Sequence, residues 1–162
     1  MTPRTGQMAP AFSGRSDQGE ALGLEGLAGS WAVLAFLPRA GTPDSVLEVR
    51  GFEEALPAFS RLNARVVGVS ADTEARLARF REQQGLSFAL LPDRERRVAR
   101  AYGLLGGLSG VLGLRAQQTF LIHPDGRLAA HWRWVSPAGH PAEVRRRLEE
   151  LSVDEQRGSP PH

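Results

Sequence analysis

The 162-residue sequence contains no cysteine and no lysine. The missing thiol excludes disulfides, thiolate metal sites, iron–sulfur clusters and cysteine nucleophiles. The missing ammonium group excludes a Walker-type phosphate loop, a Schiff base and a catalytic lysine. Any chemistry of this chain must therefore proceed without a thiol or a side-chain amine.

All 20 basic residues are arginine and are balanced by 18 acidic residues, so the formal net charge is only +2. Arginine stays charged far above neutral pH, and this explains a pI of about 10.3 without a strongly cationic surface. The run Arg145–Arg147, accompanied by Glu143, Glu149 and Glu150, is typical of the solvated face of a terminal helix. Nucleic acid is therefore not expected as a partner.

Long apolar segments are also absent. No run approaches the ~18 apolar residues of a membrane helix, and Met1–Phe12 has no apolar core of the kind found in signal peptides. We therefore expect a cytoplasmic protein without a membrane partner. Its length predicts one domain over residues 1–162, with a core at about 6–151 and a frayed tail from Ser152 to His162.

Apolar periodicity predicts alternating strands and helices. The predicted strands are Trp31–Leu37, Arg65–Ser70, Phe88–Leu91 and a hairpin of Gln118–His123 with Arg127–Val135. The predicted helices are Ser45–Leu62, with a kink or break at Pro57, then Thr73–Gln84, Asp93–Tyr102 and His140–Leu151. This order predicts an α/β fold, a mixed central sheet with helices on both faces. Its functional surface should lie at the carboxyl ends of the parallel strands, near the link Pro38–Ser45.

A series of motifs follows in order along residues 6 to 151. They are Gly6-x-x-Ala9-Pro10-x-Phe12, Pro38-x-x-x-Thr42-Pro43, Glu48, Phe52, Val67–Asp72, Leu90–Asp93, Val98–Gly103 and Thr119–Ile122. Together they resemble the peroxiredoxins (the AhpC/TSA family), most closely the bacterioferritin-comigratory branch. The resemblance implies a thioredoxin-like fold and, for members with the family's cysteines, peroxide reduction with a thioredoxin-type reductant.

The sequence departs from the family pattern at the residues that carry the chemistry. Ser45 stands at the position of the peroxidatic cysteine, Arg50 at that of the resolving cysteine, and Gln117 at that of the catalytic arginine. The site positions that still match are Pro38, Thr42 and Glu48. A serine hydroxyl is barely ionised at neutral pH and is a poor nucleophile toward peroxide oxygen. Without an arginine at position 117, charge on the leaving oxygen lacks a donor, although Arg115 is placed to share the strand face of residue 117.

The start of the helix after Pro38 has two interpretations. Ser45-Val-Leu-Glu48 fits a capping box, in which Ser45 serves only as a helix-start residue. Thr42-Pro43-Asp44 fits a cap one turn earlier. Asp44 would favour the helix but would disfavour an anion beside it.

The histidines and one apolar segment complete the candidates. His123, His131, His140 and His162 lack metal-site spacing, so neither a metal nor another cofactor is expected. Gly103–Leu114 is a charge-free, glycine- and leucine-rich segment. It is interpreted either as a loop folded onto the core or as a patch that docks a second subunit or another protein.

Three hypotheses follow. The favoured one is a cysteine-free peroxiredoxin homologue that has lost peroxidase chemistry and acts as a binding or regulatory module. The second is an active peroxiredoxin whose peroxidatic cysteine has been replaced by Ser45. The third is a different enzyme that uses Thr42, Glu48 or a histidine as acid–base groups.

If Gly103–Leu114 docks a second subunit, light scattering should show an oligomer. Leu108→Asp should weaken that oligomer because it places a charge in an apolar interface. A chain that is monomeric before and after the substitution would exclude the docking interpretation.

Overall fold

A five-stranded mixed sheet forms the centre of the molecule. The computed structural model of the chain describes residues 2–104, 117–133 and 135–158. The sheet strands are β3 (Trp31–Phe36), β4 (Ala64–Ser70), β5 (Ala89–Pro92), β6 (Thr119–Ile122) and β7 (Leu128–Trp132). They lie in the order β5-β4-β3-β6-β7, with β3, β4 and β5 parallel and β6 and β7 antiparallel to their neighbours. The carboxyl ends of three parallel strands therefore meet at one edge.

The central strand β3 is buried along its whole length, as its continuous apolar run predicts. Its side chains alternate between two cores. Leu34 and Phe36 join one core with Tyr102 and Phe120, while Val33 joins the other core with Phe52. The sheet is therefore covered on both faces.

Helices cover each face, and this confirms the predicted architecture. The helices are α1 (Leu24–Leu27), α2 (Pro43–Arg61), α3 (Glu74–Gln84), α4 (Arg97–Ala101) and, in the order of the chain, α5 (His140–Gly158). The second core receives residues from α2, α3 and α5, while α1 and α4 contribute to the first. Helix α3 ends as predicted at Gly85, whose left-handed φ of 64° suits glycine.

Helix α2 runs through Pro57 without the predicted break, because Pro57 lies on the exposed side, where water can solvate the carbonyl that loses its donor. Two predicted boundaries are wrong. Helix α4 begins only at Arg97 because the Asp93 carboxylate accepts hydrogen bonds from the amides of Val98 and Ala99. The tail predicted from Ser152 is helical as far as Gly158.

Two further predictions concern membranes and the apolar segment. Within the described ranges, no helix is long and apolar enough to cross a membrane. The predicted docking segment Gly103–Leu114 lies outside the described residues from position 105 onward, as does Arg115.

A short hairpin that the periodicity did not predict precedes the sheet. It consists of β1 (Ser13–Arg15) and β2 (Ala21–Gly23). Between the two strands, the buried Asp17 receives two hydrogen bonds from Arg81, at 2.6 Å from Nε and 2.9 Å from Nη2. The same guanidinium donates to the carbonyls of Leu86 and Phe88 at 2.7 and 2.6 Å. Arg81 therefore joins the hairpin to α3 and to the segment that leads into β5.

Asp17→Ala should lower the free energy of unfolding by about 3 kcal/mol because it leaves the largely buried Arg81 guanidinium without its counter-charge. Urea denaturation measures the change. The matched control is Glu95→Ala, which breaks an exposed pair with Arg97 and should cost less than about 1 kcal/mol. Equal losses in the two variants would contradict the structural role of Arg81.

Candidate functional site

The link between β3 and α2 places the candidate site at the carboxyl edge of the sheet. Thr42 is the N-cap of α2, and its Oγ1 accepts a hydrogen bond from the Ser45 amide at 3.3 Å. The Thr42 hydroxyl donates to the Arg39 carbonyl at 2.8 Å. Of the two predicted caps, the one at Thr42 is therefore confirmed. The capping box at Ser45 is wrong, because the helix has already begun at Pro43.

Ser45 lies in the first turn of α2 and is fully buried. Its hydroxyl donates to the Thr42 carbonyl at 2.8 Å. Within the part of the chain that the structure describes, the Ser45 hydroxyl contacts no histidine or carboxylate that would act as a base. The hydroxyl therefore donates its proton to a backbone carbonyl, and Ser45 is not activated as a nucleophile.

Glu48 follows one turn later and is also fully buried. Burial, and to a smaller extent the negative charge of Asp44, raises its pKa to about 8, although the Gln117 amide opposes the shift. Neither Glu48 oxygen nor Gln117 Nε2 has a partner with full hydrogen-bond geometry among the described residues, so the amide acts at longer range. Glu48 is therefore a neutral carboxylic acid at pH 7.

Gln117 reaches this site through the start of β6. The Phe36 amide, at the end of β3, donates to the Gln118 carbonyl at 2.8 Å and fixes this segment beside the carboxyl edge. The structure thus brings the predicted residues Glu48 and Gln117 together, one turn beyond Ser45 on α2. Gln117 supplies a neutral amide at the position where the resemblance implies an arginine.

Two predicted positions lie apart from this group. Arg50 is exposed, and five helical residues turn it about 140° away from Ser45. Pro38 is half-buried and lines a separate cavity beside the link. Arg50 therefore does not replace the missing cation of the site.

His140 is a buried polar residue near the site, predicted only as the start of a helix. It does begin α5, and its Nε2 lies 2.7 Å from Thr119 Oγ1. Its ring packs against Phe52 and Trp132, and burial lowers its pKa to about 4. His140 is therefore a neutral packing group. Its spacing gave no signal of this role, because the contacts come from three separate elements.

The remaining described histidines serve the sheet rather than a metal. His131 stacks on Phe120 at 4.1 Å, and its pKa falls to about 4 through burial and the nearby Arg133. His123 packs against Trp31 and contacts Glu155 on α5 at 2.7 Å. Within residues 2–104, 117–133 and 135–158, no group of three histidine or acidic side chains is placed to hold a metal ion.

The pKa shifts predict a stability maximum near pH 6.5. Below it, the unfolded chain takes up protons at His131 and His140, whose pKa values are about 4 when folded, so stability falls as pH falls. Above pH 6.5, Glu48 stays protonated in the folded protein up to its pKa of about 8, whereas it is ionised in the unfolded chain. A rise in pH therefore favours the unfolded chain. Stability should therefore fall by about 1 kcal/mol in total between pH 6.5 and 8, because the two histidines still offset part of the Glu48 effect near pH 6.5.

Glu48→Gln should abolish this alkaline decline, as measured by urea unfolding at a series of pH values. Glu54→Gln, an exposed change on the same helix, should leave the decline in place. An unchanged pH profile in Glu48→Gln would show that Glu48 is ionised in the folded protein.

Comparison with known proteins identifies the family. The sequence model of the AhpC/TSA family matches residues 5–131. Peroxiredoxin Bcp of Bacillus subtilis is 33% identical over 156 residues, covering 94% of this chain and 99% of the relative. A putative peroxiredoxin bcp of Coxiella burnetii is 34% identical and covers 91% of this chain and 100% of its own length.

Solved structures of peroxiredoxins are also similar to this chain. A cysteine-to-serine mutant of Xylella fastidiosa PrxQ has a TM-score of 0.85 at 27% identity, covering 94% of this chain and 99% of its own. The Xanthomonas campestris bacterioferritin comigratory protein has a TM-score of 0.80 at 29% identity, covering 87% and 92%. The fold is therefore the thioredoxin-like fold of these proteins, and the chain belongs to the AhpC/TSA family of peroxiredoxins.

Proposed function

We propose that this chain is a peroxiredoxin-family protein without thiol peroxidase activity, and that it acts as a binding or regulatory module on the peroxiredoxin scaffold. One observation carries the proposal. Position 45 holds a fully buried serine whose proton is donated to the Thr42 carbonyl. Peroxide reduction requires a thiolate that attacks the O–O bond, and a hydroxyl bound in this way does not supply one.

The electrostatics of the site support the same proposal. Reduction of a peroxide places negative charge on the leaving oxygen, and a preorganised cation stabilises that charge. Here Gln117 is neutral and Glu48 is a neutral acid, and the charge that acts on Glu48 from the first turn of α2 is the negative charge of Asp44. Neither Gln117 nor Glu48 therefore supplies the cation that would stabilise a leaving oxygen.

A second candidate is a thiol-dependent peroxide reductase in which Ser45 replaces a native cysteine. The names of the relatives favour it, since they are peroxiredoxins and one solved structure concerns alkyl peroxide reduction. Under this alternative, a thioredoxin-type protein would supply the electrons. Arg50 and Gln117 argue against it, because a deliberate cysteine replacement leaves serine or alanine and does not alter the arginine position.

The third hypothesis, a different enzyme in the same pocket, has no support from the described contacts. Thr42 caps α2, Glu48 is neutral, and His140 bonds to Thr119. The pair of His140 and Thr119 is fully buried, so a substrate cannot reach it, and Thr42 and Glu48 do not form a pair of nucleophile and base.

Hydrogen peroxide consumption with a dithiol reductant tests the proposal. The native chain should remain at the background rate. Ser45→Cys combined with Gln117→Arg should exceed Ser45→Cys alone by about a hundredfold, because the arginine restores the donor for the leaving oxygen.

Ser60→Cys is the matched control, since it places a thiol on an exposed position of the same helix and should not turn over peroxide. Turnover by the native chain would overturn the proposal. Equal turnover by Ser45→Cys with and without Gln117→Arg would favour the second candidate.

A further inference from the structure

A cavity of about 160 Å³ lies beside the candidate site but includes none of Ser45, Glu48 or Gln117 in its walls. It is built where β3, β4 and β5 end, with α4 closing one side. This carboxyl edge is where open α/β sheets commonly bind ligands. The function proposed above does not use this cavity.

Two aspartates in the wall are already committed to internal hydrogen bonds. Asp72 Oδ2 accepts from the Ala40 amide at 2.8 Å and from Ser70 Oγ at 2.6 Å. The Asp93 oxygens accept from the backbone amides at positions 98 and 99, both at 3.0 Å. These carboxylates shape the cavity but do not offer free acceptors to a cationic ligand.

Two arginines at the cavity, in contrast to the aspartates, make no internal hydrogen bond through their side chains in the described part of the chain. Arg39 and Arg96 both line it and are exposed to solvent. Within the described part of the chain, neither guanidinium has a hydrogen bond or an ion pair. By contrast, Arg76 and Arg81 each lie within 4 Å of a carboxylate, at 3.6 Å and 2.6 Å. The cavity is therefore lined by two arginines whose side chains have no internal partner among the described residues, and the planar donor array of a guanidinium matches a carboxylate.

The backbone of Arg96 adds a second observation. Its φ of 55° and ψ of 33° lie in the left-handed region, which side chains rarely adopt. The turn is held by the Arg96 amide, which donates to the Asp93 carbonyl at 2.9 Å. A strained residue that keeps a long cationic side chain at a cavity is typical of a functional position.

The apolar wall, the charge and the volume of the cavity determine which kind of anion it can bind. Phe36, Val69 and Ala99 provide an apolar wall. Asp72 and Asp93 keep the net charge of the lining low although internal hydrogen bonds hold both carboxylates, so the cavity suits a singly charged anion better than a multiply charged one. The volume lies below the ~300 Å³ of sites for drug-sized ligands. These limits favour a small ligand with one negative charge and a short apolar part.

We propose that this cavity binds a short aliphatic monocarboxylate. The carboxylate pairs with Arg39 and Arg96, and the alkyl chain packs against the apolar wall. The Arg39 carbonyl accepts the hydroxyl hydrogen bond of Thr42, so the bound ligand also steadies the N-cap of α2. The site would thereby couple ligand binding to the loop that carries Ser45.

Titration of backbone amide chemical shifts with butyrate at constant ionic strength tests the proposal. Saturable shifts are expected at Ser70, Ala71 and Ala99, with weaker binding of butan-1-ol, which lacks the charge, and of inorganic phosphate. Butan-1-ol or phosphate binding as tightly as butyrate would overturn the proposal. So would butyrate shifts that do not saturate or that map to another surface.

Variants identify the guanidinium groups. Arg39→Gln and Arg96→Gly should each weaken butyrate binding by about tenfold or more. Because glycine suits the backbone conformation at position 96, Arg96→Gly should keep the thermal midpoint or raise it, which separates lost binding from lost folding.

Arg100→Gln is the matched control. Arg100 lies on α4 and is exposed, but it does not line the cavity. Butyrate affinity should be unchanged in this variant. Full affinity in both test variants, or an equal loss in the control, would overturn the proposal.

Discussion

The hydrogen bond from the Ala40 amide to Asp72 Oδ2 joins the two loops on which the functional edge depends. One loop follows β3 and leads through Thr42 into α2, while the other follows β4 and leads into α3. The same carboxylate accepts from Ser70 Oγ at 2.6 Å and is itself buried. This bond adds to the pairing of β3 with β4 and holds the loop that leads to Ser45 against the wall of the neighbouring cavity.

The charges at the site differ from those that the resemblance to the peroxiredoxins implies. Thr42 still caps α2, and the first turn still carries residue 45 into the interior. A buried carboxyl next to a cation would be ionised and hydrogen-bonded. Facing Gln117 instead, Glu48 is held in its neutral form by desolvation, because burial without a partner penalises charge. The neutral amide at position 117 therefore leaves Glu48 protonated, whereas a cation there would favour the ionised carboxylate.

Sequence patterns predicted the elements with strong periodicity. The buried strand β3 has a continuous apolar run, and α3 has both a threonine cap and a terminal glycine. The hairpin β1–β2 was missed because strands of three residues, with Ser13, Gly14 and Arg15 all exposed, carry no alternating pattern. At the site, the motif positions located Ser45, Glu48 and Gln117. Glu48 is neutral because of its burial and of the side chains around it in space, and a local sequence pattern does not contain that information.

The contact between Asp17 and Arg81 has a consequence for the order of folding. The two residues are 64 positions apart, and the guanidinium reaches its other acceptors only after α3 and the approach to β5 are in place. Closing so long a loop costs chain entropy before any contact is gained. We therefore expect the hairpin β1–β2 to dock late on the folding pathway, after the parallel core, although it lies near the start of the chain.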